Sequence, residues 1–142
     1  MILPDLNLLL YAHDRHCEHH PAAVRWWESV MSAPAPVGLS WVVILGFLRL
    51  ATSSRVYRAP ASVSHAVALV RSWLALPQVR VLQPGAAHWE IFARFVEGAG
   101  TVSNLATDAH LAALAVEYNA IVHTNDTDFK RFPGVRVSNP LA

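Results

Sequence analysis

The chain has 142 residues, 54% of them apolar and 15% charged, with a formal net charge of +1. That length and apolar content suit a single domain spanning 1–142 with a substantial core, and exclude a disordered or acidic-tail protein. The charge balance leaves no general basic surplus for nucleic acid, and the lone cysteine, Cys17, excludes a disulfide framework or a cysteine zinc module and points to a reducing cytoplasm.

Ile2-Leu3-Pro4-Asp5 predicts a short buried strand, with Pro4 tolerated near its end, and Leu6 to Ala12 a short helix. His13 to His20 is polar and loop-like, and Pro21 fits the first turn of a helix running to about Ser32. Pro34-Ala35-Pro36 stops it. Val37-Gly38-Leu39 predicts a second strand, after which Ser40 is placed to cap a helix from Trp41 to about Ser53. Val63, Val67, Val70 and Leu74 form a helical stripe within Ala61 to Leu76, ended by Pro77. Val79-Arg80-Val81-Leu82 alternates like a strand, and Ala86 to Glu97 is helical and closed by Gly98 and Gly100. Thr107 opens a helix through Tyr118, Ala120-Ile121-Val122-His123 makes a fourth strand, and Val135-Arg136-Val137 is a candidate fifth.

No segment predicts a membrane span or a targeting signal. Pro4 and Asp5 interrupt the apolar N-terminus, which no basic residue precedes, and the uncharged run from Val37 to Leu48 is shorter than the roughly 18 residues a spanning helix needs. Strands alternating with helices predict an α/β fold around a mostly parallel sheet of four or five strands. Right-handed crossovers then bring strand C-termini and helix N-termini to one edge of the sheet, where such folds bind ligands.

Four acids map to that edge. Asp5 ends the first strand, Asp108 opens the helix before the fourth strand, and Asp126 and Asp128 follow His123 closely. Each has an ordinary reading: a turn residue for Asp5, dipole complementation for Asp108, Asx-turns for Asp126 and Asp128. Their convergence from distant parts of the chain favours a shared role. Clustered carboxylates raise one another's pKa, and a hard divalent cation such as Mg²⁺ or Mn²⁺ relieves the repulsion. The chemistry natural to such a centre is phosphodiester hydrolysis, with one ion or two activating water and stabilising the leaving oxygen.

Asp5-Leu6-Asn7 after a short strand, Thr107-Asp108-Ala109 opening a helix, and Thr124-Asn125-Asp126-Thr127-Asp128-Phe129 after the last core strand together resemble a PIN domain. Length and the Gly38 to Ser53 block, with Phe47-Leu48-Arg49, narrow the resemblance to the toxin of a VapBC toxin–antitoxin pair of the actinobacterial kind. That resemblance implies a three-layer α/β/α sandwich and a Mg²⁺-dependent endoribonuclease cutting structured RNA, tRNA or rRNA. It also implies a cognate VapB-type antitoxin and a homodimer. Asp5, Asp108 and Asp126 would be catalytic metal ligands, Asp128 an auxiliary ligand or a loop former, and Asn7 and Thr124 the groups that orient the carboxylates. The family usually carries a Glu where this chain has Gly46. The alternative reading is therefore a weakened or non-cleaving module that binds RNA or antitoxin.

Other features carry weaker signals. His13, Asp14, His16, Cys17, Glu18, His19 and His20 are ligand types without a familiar zinc spacing, and read as a solvated loop. Trp26, Trp27, Trp41, Trp73 and Trp89 fall in apolar helical stretches, as core or subunit-interface residues rather than base-stacking platforms. Arg49, Arg55 and Arg58 are candidates for RNA phosphate or antitoxin contacts, with Arg49 foremost. A phosphorylated receiver domain is excluded because no Asp follows a middle strand, and no phosphate-binding glycine loop or serine elbow is present.

Overall fold

Short apolar runs form the strands and longer stripes the helices in the computed structural model, which describes all 142 residues. In chain order these are β1 (Ile2–Pro4), α1 (Leu6–His13), α2 (His20–Ser32), β2 (Val37–Ser40), α3 (Trp41–Ala51), α4 (Val63–Leu74), β3 (Val79–Leu82), α5 (His88–Ala99), α6 (Ala106–Glu117), β4 (Ile121–His123) and β5 (Arg136–Ser138). Two 3-10 turns, Ser103–Leu105 and Asp128–Arg131, were not expected from periodicity.

All five strands are parallel, in the order β3-β2-β1-β4-β5. The chain steps outward from β1 to β2 to β3, then returns across the sheet to β4. Right-handed crossovers therefore put α1–α4 on one face and α5–α6 on the other. The packing agrees, since α1 lies on α2 and α3, α3 on α4, and α5 on α6. This is the expected α/β class, as a three-layer sandwich. Strands β1 and β4 are neighbours whose outgoing connections diverge, the place at the C-terminal edge where such folds bind ligands.

Burial on both faces explains why the central strands read as continuous apolar runs. Every residue of β2 is buried, whereas every residue of the edge strand β5 is exposed. Leu3, Val37, Leu39 and Val122 from the strands pack with Phe47, Trp73, Phe95, Phe129 and Phe132 in one cluster of 27 buried residues. Pro4 is accommodated because it ends β1; the next amide, of Asp5, continues the ladder to the His123 carbonyl at 2.9 Å.

Helix boundaries follow local capping. Ser62 Oγ accepts the His65 amide, so α4 starts at Val63 rather than Ala61. Gly100, at φ +72°, closes α5 in the left-handed conformation that glycine adopts freely. The tryptophans divide: Trp26 and Trp73 are buried, while Trp41 and Trp89 are 47% and 68% exposed. No helix is long and apolar enough to cross a membrane.

Candidate active site

Three polar side chains are buried in the whole protein, and they stand in one row. Pro4 pairs with His123, so Asp5 and Thr124 come one step further along β1 and β4. Counting on from the Ile2–Val37 pairing, Ser40 falls level with Asp5 at the end of β2. Asp5, Ser40 and Thr124 are the buried polar residues. They line the C-terminal edge of the three central strands.

Asp5 is held from several sides. Its Oδ1 accepts the Leu6 amide at 2.7 Å and so caps α1. Its Oδ2 accepts the Thr124 hydroxyl at 2.7 Å and the Asn7 side-chain amide at 3.4 Å. Thr124 Oγ1 in turn accepts the Asp126 amide at 2.9 Å and the Asn7 amide at 3.2 Å. Asn7 Oδ1 takes the Asn125 amide at 3.4 Å. Asn7 and Thr124 thus tie the start of α1 to the loop after β4.

That loop carries two more acids. Asp126 Oδ1 accepts the Asp128 amide at 2.9 Å, an Asx-turn that leads into the 3-10 turn Asp128–Arg131. Buried Phe129 and Phe132 pin the turn to the core. Asp108, in the first turn of α6, completes the group: oxygens of Asp108, Asp126 and Asp128 lie within 4.8 Å of one another.

No Lys or Arg neutralises these acids; the two ion pairs in the protein are His19–Glu18 and His88–Glu117. Burial and the charges of Asp5, Asp126 and Asp128 push the Asp108 pKa up to about 7. The Asp5 pKa is also raised, because burial outweighs the hydrogen bonds from Thr124 and Leu6 and Asp126 adds repulsion. Oxygen-only donors that repel one another suit a hard divalent cation, so the residues fit Mg²⁺ or Mn²⁺.

A family model described as PIN domain matches residues 2–135. The chain belongs to the PIN-domain family. Ribonuclease VapC33 of Mycobacterium tuberculosis (strain ATCC 25618 / H37Rv) is 43% identical over 141 residues, covering 99% of both chains. Ribonuclease VapC37 of the same strain is 42% identical over 142 residues, covering 100% of this chain and 99% of the other. The protein is thus a VapC-type PIN domain. Its fold is shared with a crystal structure of VapBC2 from Rickettsia felis bound to a DNA fragment from their promoter, at a TM-score of 0.69 and 19% identity, covering 98% of each chain.

Gly46 of this PIN domain is a close-approach glycine. A Cβ there would lie 2.6 Å from Leu6 Cδ2, so α3 meets the first residue of α1 where a side chain would not fit without moving Leu6. Helix α3 runs unbroken through it, which leaves packing rather than a bend as the reason. Arg49 is exposed in the last turn of α3, about 13 Å along the axis from the Ser40 cap, and pairs with none of the acids. In the His13 to His20 segment of the PIN domain, Asp14 Oδ1 accepts the His16 amide and His20 Nδ1 meets the Tyr11 carbonyl. The acids at 108, 126 and 128 form the protein's one grouping of three or more potential metal ligands.

Sequence reasoning passed over His88, His110 and Glu117. His110 Nε2 lies 3.2 Å from Ser40 Oγ, its Nδ1 lies 2.9 Å from His88 Nε2, and His88 Nδ1 bonds Glu117. The one available signal was a histidine inside the apolar helix two residues after Asp108.

Proposed function

We propose that residues 1–142 act as one PIN unit, a divalent-metal-dependent endoribonuclease that is the toxin of a VapBC-type toxin–antitoxin pair and works in the cytoplasm. The observation that carries this reading is the group of acids without a counter-ion, Asp108, Asp126 and Asp128 beside Asp5, at the divergence of β1 and β4. Relatives named ribonuclease at 43% and 42% identity support RNA as substrate. Structured RNA, tRNA or rRNA, is the class proposed, with Arg49 as a phosphate contact. The VapBC complexes among proteins of the same fold support an antitoxin partner.

In this reading Asp5, Asp108, Asp126 and Asp128 hold Mg²⁺ or Mn²⁺. When bound, such an ion neutralises charge at the phosphate and makes a water more acidic. The chain's own residues do the rest. Thr124, Asn7 and the Leu6 amide fix the Asp5 carboxylate so that it reorganises little during reaction. The Asx-turn at Asp126 holds Asp128 beside Asp108. In hydrolysis a water oxygen forms the new bond to phosphorus, its proton passes to a carboxylate or solvent, and the departing ribose oxygen leaves with a proton.

The test is cleavage of total RNA by purified, antitoxin-free protein in Mg²⁺, in Mn²⁺ and in EDTA. Discrete fragments should need a divalent ion, and Asp108→Asn or Asp5→Asn should reduce their rate by about 10²–10⁴-fold. Asn keeps the cap on α1 but turns an N–H₂ toward the Thr124 hydroxyl and the Asn7 amide that Asp5 Oδ2 accepts, so Asp108→Asn carries the charge test and Asp5→Asn is read with its Tm beside it. Fragments that persist in EDTA or in Asp108→Asn would sink the assignment.

A further inference from the structure

A second hydrogen-bonded chain leaves the same sheet edge in another direction. Ser40 ends β2 and is fully buried, and its Oγ already accepts the Val42 amide at 3.3 Å. The hydroxyl hydrogen needs an acceptor, and the other partner of this oxygen is His110 Nε2 at 3.2 Å. Donation from Ser40 gives the hydrogens further along one consistent assignment, ending on the Glu117 carboxylate. With Nε2 accepting, the His110 ring carries its hydrogen on Nδ1 and donates to His88 Nε2 at 2.9 Å. His88 then donates from Nδ1 to one oxygen of Glu117, whose other oxygen accepts the Gly85 amide at 2.9 Å. A carboxylate ends the chain because the last group has to accept twice.

Helix α6 starts without a capping side chain and is seated in the core by Leu111 and Leu114 together with Ala109, Ala112, Ala113 and Ala115. Near its start, His110 adds a directional tie, the hydrogen bond to Ser40 at the sheet edge. A turn of about 20° would sweep a side-chain tip some 5–6 Å from the axis through about 2 Å. Asp108 sits two residues before His110 on this helix.

We propose that the Ser40–His110–His88–Glu117 chain is a positioning device that fixes the rotation of α6 and thereby places Asp108 for cation binding among the acids. The proposal rests on the metal-dependent ribonuclease reading. Glu117 and His88 are positioning residues, acting on the site through His110.

The test uses the full chain and Glu117→Gln, whose single amide oxygen accepts from only one of the two N–H groups. Nitrogen-15 NMR of the metal-free protein should show His88 and His110 both protonated at Nδ1, and the His110 signals should change in the variant. Calorimetric Kd for Mn²⁺ should weaken by about 10-fold, and kcat for RNA should fall by a similar factor at unchanged KM. An Nε2-protonated His110 in the parent, or a Mn²⁺ Kd unchanged in the variant however far its Tm falls, overturns the proposal. If Glu117→Gln does not fold, His88→Phe removes both ring hydrogen bonds and is read by the same criteria. A parent chain that binds Mn²⁺ through this device but cuts no RNA refutes the ribonuclease reading alone. Active protein with Kd and kcat both untouched by the variant refutes the positioning device alone.

Discussion

Asp108 keeps a proton into the neutral range, and that has a measurable consequence. From the ordinary carboxyl value of 3.8 up to about 7, the folded chain holds a proton on Asp108 that the unfolded chain has released. The folded state binds more protons there, so this contribution to stability falls as pH rises through that window. Asp5, also raised, acts in the same direction. His13, His110 and His123 oppose it, because burial lowers their pKa values and stability gained from them increases as pH rises. A difference measurement isolates the carboxyl. In EDTA, the Tm of the parent minus that of Asp108→Asn should fall from pH 5 to pH 8, and Mn²⁺ should raise the parent Tm more at pH 8. A difference that grows with pH would mean Asp108 is not held protonated. At this scale the sequence showed Asp5, Asp108 and Asp126 plainly, since each closes a strand, opens a helix or follows a strand at one edge. The pairing of His88 with His110 was invisible, because it joins residues 22 apart through tertiary packing that no local period encodes.

Between elements, α1 and α3 cross at Gly46, where the family resemblance implies a Glu. Gly46 and Leu6 share one space, the glycine yielding what the leucine fills. Gly46→Glu should therefore cost about 1–3 kcal/mol through overpacking, set against the gain of about 1 kcal/mol from replacing a mid-helix glycine. Adding Leu6→Ala should recover part of the loss, and urea unfolding of both single variants and the double gives the coupling. Strict additivity would show that Leu6 is not what meets the new side chain. Strand and helix identities were legible from periodicity, capping residues and prolines, as at Ser40, Pro21 and Pro77. The 3-10 turn at Asp128–Arg131 was not, because its Asx-turn and the burial of Phe129 and Phe132 depend on where the core lies.

Over the whole molecule, the apolar side chains left exposed are not scattered evenly. Trp41 and Leu45, one turn apart on α3, are 47% and 58% exposed, and Trp89 on α5 is 68% exposed and stacked on Phe92. These suit the homodimer that the family resemblance implies, which the fold of one chain does not itself show, since large exposed aromatics mark association surfaces. Sedimentation should give a dimer for the parent and a monomer for Trp41→Glu/Leu45→Glu. A monomeric parent would remove the dimer from the scheme. The order of the strands bears on the protein's birth as well. Strand β1 is made first but lies at the centre of the sheet, and its partner β4 begins at Ile121. At about 5–20 residues per second, roughly 6–24 s of translation separate the two strands. Throughout that interval Asp5 lacks Thr124, and Asp126 and Asp128 do not yet exist. A nascent chain attached to the ribosome, itself largely RNA, therefore carries no assembled acidic centre until Thr124, Asp126 and Asp128 have been synthesised.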